Sequence, residues 1–251
     1  MTLFELWDLT SYIAGKFPSA GVVPPSRFNL LLPQVQDELY QAAVKGREIP
    51  MLDRFKKSAT LVPGEDSIAA LPEDYRRILS AVALGIADDS AAVAVPWTRT
   101  MEIVGEAEYA MRQGNAMYRA LELPFAKIQD GCLYPVPTNI TTITIDYLRA
   151  PTTPYLDWCQ LESNLNKIVY VPEGATIIEN QVTGNYDLMQ GATVLQANVY
   201  KTMGADVYTS QTIELDWEEQ YHYRFVSLLL GKIGVNLGEF EVAKYAETMP
   251  R

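Results

Sequence analysis

The run from Ile140 to Leu148 reads as a β-strand and as little else. Ile143, Ile145 and Tyr147 alternate with Thr142, Thr144 and Asp146, and a period of two turns one apolar face to a core. Isoleucine and threonine suit a half-buried pleated surface. A strand-like piece, Ala126 to Leu133, precedes it, followed by the turn cluster Tyr134-Pro135-Val136-Pro137-Thr138-Asn139. Proline cannot donate to a ladder, so pairing must stop in that cluster. The stretch predicts a β-hairpin over residues 126–148 with a proline-stiffened tip. Pro151 ends its second strand and Pro154 keeps the exit extended.

Around this strand the chain changes character twice. Thr2 and Glu5 form a capping box ahead of Leu3, Leu6, Trp7, Ile13 and Ala14 at helical spacing. Ser26 is placed to cap a second helix with Phe28, Leu31, Leu32, Val35, Leu39 and Ala42 on one stripe, and Pro33 should kink or restart it. From Arg47 to Ser67 the periodicity is lost, and the basic residues Arg54, Lys56 and Lys57 read as part of a solvated loop. Ile78 to Ile86 reads as a buried strand and Trp97 to Val104 as another. Gly105 to Gln113 reads as a short helix with Ala107, Ala110 and Met111 inward. Beyond residue 158, KIVYV, Thr176 to Ile178 and Thr193 to Tyr200 read as strands punctuated by glycines, with Glu179 to Gln190 as a surface excursion. Asp216 with Glu219, and Asn236 with Glu239, then suggest capping boxes for two last helices. Their packing candidates are Tyr221, Phe225, Leu228 and Leu229 in the first, and Phe240, Ala243 and Tyr245 in the second.

The resulting expectation is an α+β fold. Residues 1–46 and 212–251 would pack as a four-helix bundle, and residues 47–211 would form an inserted antiparallel β region.

Several of these phrases together resemble a known family. The strand with its YPVP turn, the ending IDYLRAP with Pro154 and an aromatic beyond it, FNLLLPQVQDELYQ (28–41), ALPEDYRRILS (70–80) and the C-terminal stretch 213–246 occur in the expected order and cover most of the chain. The pattern resembles the head–tail connector (ring or adaptor) proteins of short-tailed phages, in particular the ring proteins of crAss-like gut phages. The resemblance implies a structural virion protein, made in the host cytoplasm. It implies a closed ring of about twelve copies joined by heterologous contacts. Its partners would be the portal and other tail or connector proteins, with DNA passing through the lumen.

Composition narrows the classes. With 31 acidic against 20 basic residues the formal charge is −11, the opposite of a nucleic-acid footprint. Two cysteines, Cys132 and Cys159, make no disulfide framework and point to a reducing site of synthesis. The first residues, MTLFELWDLT, lack a basic region and a long apolar run, so no signal peptide is expected. No apolar run is long enough to span a bilayer.

The search for chemistry returns little, so no cofactor, metal or catalytic residue is expected. His222 is the single histidine, and no familiar zinc site can be built from one. Gly231-Lys232 lacks the rest of a phosphate-binding loop, and no nucleophile elbow occurs. The acidic pairs Glu73-Asp74, Asp88-Asp89 and Glu218-Glu219 could in principle serve as acid and base, but adjacent carboxylates are more often helix starts or solvated loops. Fifteen tyrosines and four tryptophans are scattered, which suits core and interface packing better than a sugar platform.

Three classes remain: a ring subunit of a virion, a carbohydrate-binding β-sandwich module, and a glycoside hydrolase assembled from distant carboxylates. For the first, the candidate docking element is the proline-stiffened tip, Pro135, Val136, Pro137, Thr138 and Asn139, because a stiff loop loses little entropy when fixed against a partner.

Overall fold

The computed structural model describes residues 1–17, 23–46, 48–87, 95–115, 123–201 and 207–249. Among these, the first helices are α1 (Leu3–Ala14), α2 (Pro25–Gly46) and the single turn α3 (Ile49–Leu52). Strands β1 (Lys56–Leu61), β2 (Ala69–Ala70), β3 (Tyr75–Ala87), β4 (Val95–Thr100) and β5 (Glu102–Ile103) follow. Then come α4 (Glu106–Gly114), β6 (Phe125–Gln129), β7 (Cys132–Val136) and β8 (Ile140–Arg149). The remainder carries β9 (Trp158–Leu161), β10 (Asn164–Tyr170), β11 (Thr176–Glu179), β12 (Tyr186–Gln190), β13 (Thr193–Tyr200), β14 (Val207–Thr209), α5 (His222–Lys232) and α6 (Glu239–Thr248). The chain divides into two compact units, residues 55–150 and residues 1–54 with 151–251.

The unit 55–150 is built from two four-stranded sheets, ordered β1-β8-β3-β4 and β2-β7-β6-β5. All their pairs are antiparallel except β5 with β6. The alternation read in β8 holds: Ile143, Ile145 and Tyr147 are buried and Thr144 and Asp146 exposed. Their inward face joins Leu61, Ala81, Ala83, Met101, Ala126 and Leu133 in one core.

The expected hairpin 126–148 does not form. β6 pairs with β7 around Asp130-Gly131, both in the left-handed region at φ 51° and 73°. Asp-Gly at two positive-φ positions is the tight hairpin loop whose twist matches its strands. The proline cluster lies beyond that hairpin, and it marks the corner where the chain leaves one sheet for the other. Cys132 therefore faces Gln129, and Ile143 faces Leu61 and Ala83. The segment read as a basic loop also holds a strand, since Lys56 and Lys57 open β1.

Helix α4 forms where the spacing placed it but presents the opposite face. Ala107, Ala110 and Met111 are exposed. Tyr109 packs edge-on against Phe125 at 5.6 Å between centroids, and Arg112 lies over the same ring while bonding Glu102 at 2.6 Å and Glu108 at 2.5 Å. An aromatic ring and a paired guanidinium cover more apolar surface than three small or flexible side chains would.

In the second unit the capping box of Thr2 and Glu5 opens α1 as expected. α2 runs on through Pro33 to Gly46 and does not restart there. The other two caps differ from the sequence reading. α5 begins at His222 after a 3-10 turn over Glu219–Tyr221, and Asp216 instead accepts from the Thr152 backbone N–H at 2.9 Å and its hydroxyl at 2.6 Å. α6 is capped at Gly238, whose N–H donates to Glu241 at 2.9 Å. The side chain of Phe240 lies outside the described residues.

The terminal four-helix bundle with one inserted β region is corrected by the packing. α5 is the central helix and meets α1, α2 and α6, because Phe225, Val226, Leu229 and Leu230 give it a buried face too wide for one partner. With 11 and 10 residues, α5 and α6 are about half the length of the 22-residue α2. The same unit holds a six-stranded antiparallel sheet, β10-β9-β13-β12-β11-β14, over a small core of Cys159, Val171, Ala175, Ile177, Leu188 and Val199. The expected surface excursion 179–190 contains β12. Among the described residues the fold is thus mixed, with three sheets and helices in both units.

Candidate functional site

The docking candidates of the proline cluster belong to the corner between β7 and β8. Pro135 is buried opposite Ala126, and Val136 is paired with Phe125. The Asn139 amide donates to the Ile86 carbonyl at 2.7 Å, and the Ile86 N–H donates back to the Asn139 carbonyl. Pro137 is half-buried, and Thr138 alone of the five is exposed. The segment does not project as a tip.

The structure draws attention to a different surface, the outward face of the sheet β1-β8-β3-β4. β3 turns small residues inward and large ones outward: Ala81, Ala83 and Gly85 are buried, while Val82, Leu84 and Ile86 are 36%, 39% and 42% exposed. The inward side has no room for more. A Cβ on Gly85 would stand 2.2 Å from Cζ2 of Trp97, its neighbour on β4. An antiparallel sheet with one solvated face ordinarily alternates apolar-in with polar-out, and here the central strand reverses the size order. Flanking rows carry Thr60, Thr144 and Thr100 beside Val82, Thr142 and Thr98 beside Leu84, and Pro96 beside Ile86.

The next row holds a carboxylate, Asp146. Ser58 and Ser80 donate to Asp146 at 2.5 Å and 2.6 Å from the strands on either side. These bonds hold the Asp146 carboxyl below the usual carboxylate range. Asp74 is held low as well, by a bond from Lys57 at 2.7 Å and then one from the Tyr147 hydroxyl at 2.9 Å. A depressed folded pKa means that stabilisation is fully present above the unfolded value and is lost as pH falls through the folded value. Replacing Ser58 and Ser80 with alanine should therefore move the Asp146 titration upward and raise the pH at which acid unfolding begins. Carboxyl-carbon NMR titration reads the first effect, and an unmoved Asp146 midpoint would contradict it.

A second polar cluster lies inside the other unit. Asp157 is almost fully buried and accepts four bonds, from the Trp158 N–H at 2.9 Å, the Tyr208 hydroxyl at 2.8 Å, the Gln211 N–H at 3.0 Å and the Lys201 ammonium. Lys201 also donates to the Trp158 carbonyl at 2.9 Å and sits 4.1 Å above the Tyr208 ring. Burial, and then the bond to Asp157, pushes the Tyr208 phenol up. Burial likewise pushes the nearby Cys159 thiol up to about 11, so it is not a nucleophile at neutral pH. With the Asp157 acceptors filled, this network ties 157–158 to Lys201, Tyr208 and Gln211.

The remaining sequence candidates are not brought together. His222 is buried, its Nε2 lies 3.2 Å from the Trp217 carbonyl, and burial pulls its pKa down. Cys132 and Cys159 are free. Asp74 is engaged by Lys57 while Glu73 is exposed, and Asp88-Asp89 lies outside the described residues. Among the described residues no three His, Cys, Asp or Glu side chains gather as a metal site.

The outward face of β3 escaped the sequence reading although its signal was present. Ala-Val-Ala-Leu-Gly-Ile over 81–86 alternates small with large, a period of two hidden inside an all-apolar run. In comparison with known proteins, no family model matches the chain, and no curated protein sequence matches it either.

Proposed function

We propose that this chain is a structural subunit of a phage head–tail connector, a ring between portal and tail through which DNA passes. The observation that carries the reading is the ordered series of sequence phrases, from FNLLLPQVQDELYQ through IDYLRAP to the C-terminal helices. Two features of the fold support it. The polar clusters are internally satisfied, as suits a part that holds shape. One sheet carries large apolar side chains outward, as suits a part that meets other proteins. No helix among the described residues is long and apolar enough to cross a membrane, and the reading places the protein in the virion after synthesis in host cytoplasm.

The direct test is native mass measurement and negative-stain imaging of the purified chain, alone and with the cognate portal. Closed rings support the reading. Saturable binding to a polysaccharide, or hydrolysis of one, supports the carbohydrate classes instead.

Charge supplies a second test. A lumen that lets DNA slide must not grip phosphates, and lysine and arginine contacts dominate DNA affinity. A formal charge of −11 repeated around a ring repels duplex DNA. Gel-shift titrations at moderate salt should show no stable complex, and tight salt-dependent binding would overturn this part of the reading.

A further inference from the structure

The segment 213–222, IELDWEEQYH, grips the first turn of α1 through carboxylates. Glu214 accepts from the Leu3 N–H at 2.8 Å and from the Tyr170 hydroxyl of β10. Leu3 opens α1, so its N–H has no partner inside the helix, and the helix dipole favours a negative charge there. Phe4 stacks on the same Tyr170 ring at 5.3 Å between centroids. Glu219 accepts from the Met1 amine at 2.7 Å. Asp216 anchors the segment itself through its two bonds from Thr152. Three acidic residues of this segment thus serve as acceptors toward other parts of the chain, and a proton on any of them weakens that hold.

At the end of the segment lies His222, 4% exposed. Its Nε2 faces the Trp217 carbonyl at 3.2 Å, and a carbonyl only accepts, so Nε2 carries the ring proton. Nδ1 is buried without a hydrogen-bond partner, and a proton there puts a charge into a closed site. Burial opposes that charge most; the Trp217 carbonyl favours it, the Met1 amine opposes it, and Glu219 and the Met1 carbonyl favour it. Other carboxylates near α5 are engaged elsewhere: Glu38 with Lys232, Glu48 with Arg224, and Glu241 of α6 with the Gly238 N–H. On α1, Glu5 bonds the Thr2 N–H, and Asp8 is pushed up by burial, so Asp8 gains as pH falls.

We infer that 213–222 is an acid-sensitive strap: near neutral pH it pins the first turn of α1 against β10 and α5, and acid releases that turn while α2 stays folded. The device needs no partner and does not rest on the ring reading. Both titrations act in one direction. The bond from the Met1 amine holds Glu219 below the usual carboxylate range, and His222 is held below the usual histidine value. For either group the unfolded state binds protons more readily, so the stabilisation is lost as pH falls. The loss starts below about pH 6.5 with the imidazole and runs on below about pH 4.3 with the carboxylates. Release uncovers Leu3, Leu6 and Trp7, all buried at neutral pH.

The test is amide hydrogen exchange of the full chain, read by mass spectrometry on peptides from α1, α2 and β8, with rates corrected for the intrinsic effect of pH. Between about pH 7 and about pH 4.5, protection of α1 should fall by about tenfold or more relative to α2 and β8, the factor that one pK unit commands. His222→Gln keeps a donor for the Trp217 carbonyl but takes no proton, and it should move the loss to lower pH. Glu214→Gln keeps an acceptor oxygen but not the charge. It should loosen α1 already at neutral pH, and it keeps the test valid if His222→Gln disturbs the core. The inference fails if α1 keeps its protection down to the acid unfolding of the whole chain. It fails equally if α1, α2 and β8 lose protection together, or if both variants follow the wild-type profile.

Discussion

Replacing Asp157 with alanine should destabilise the protein by about 3–5 kcal/mol, the range for removing one partner of a buried ion pair. The carboxylate is almost fully buried and accepts from Trp158, Tyr208, Gln211 and Lys201. Its loss strands the Lys201 ammonium and leaves buried donors without acceptors. Asp157→Asn keeps one acceptor oxygen and should lose less. Removing the stranded charge as well, in Asp157→Ala with Lys201→Met, should recover part of the loss, since a buried pair replaced by apolar residues is often neutral. Urea unfolding of these variants, with Lys201→Met alone to close the cycle, measures the coupling. A loss below about 1 kcal/mol for Asp157→Ala would mean that the network is incidental to stability.

Phe225→Ala should cost about 3–5 kcal/mol, the range for truncating a buried aromatic. Phe225 is fully buried on α5 and meets Trp217 edge-on at 5.5 Å between centroids. Leu228 is the contrast. The sequence placed it on the same stripe, but it is half-buried and borders an open groove beside Glu38 and Lys232. Leu228→Ala should lose about 1 kcal/mol or less, in keeping with partial exposure. The ordering of the two, read from chemical denaturation, tests which face of α5 is core. Equal losses would place the stripe as the spacing alone suggested.

These cases show how much was legible. Local signals survived in the Thr2–Glu5 box, the alternation of β8 and the helical stripe of α1, and only in part in the stripe of α5. Partner choice did not survive. β7 and β8 are consecutive and both strand-like, yet each pairs elsewhere, and nothing local to either segment states that. The Asp130-Gly131 loop was the stronger turn signal in the same stretch, and the prolines drew the reading one strand too far. α4 was misoriented for a related reason. Periodicity ranked Ala107, Ala110 and Met111 as its apolar face, whereas Phe125 recruited Tyr109 and Arg112. The docking candidates failed to project because apolar stiffness suits an inter-sheet corner as well as an exposed tip.

The contiguity of residues 55–150 bears on the order in which the chain is made. The ends of this unit lie side by side, Lys56 opposite Leu148, so it can close as soon as β8 has left the ribosome. Helices α1 and α2 emerge first but have no α5 to cover them; the ion pair from Glu48 to Arg224 spans 176 positions. Contacts so distant in sequence form late. Between the release of β8 and that of α5 the nascent chain is therefore a finished β unit tethered to two helices with bare apolar stripes, which chaperones can meet.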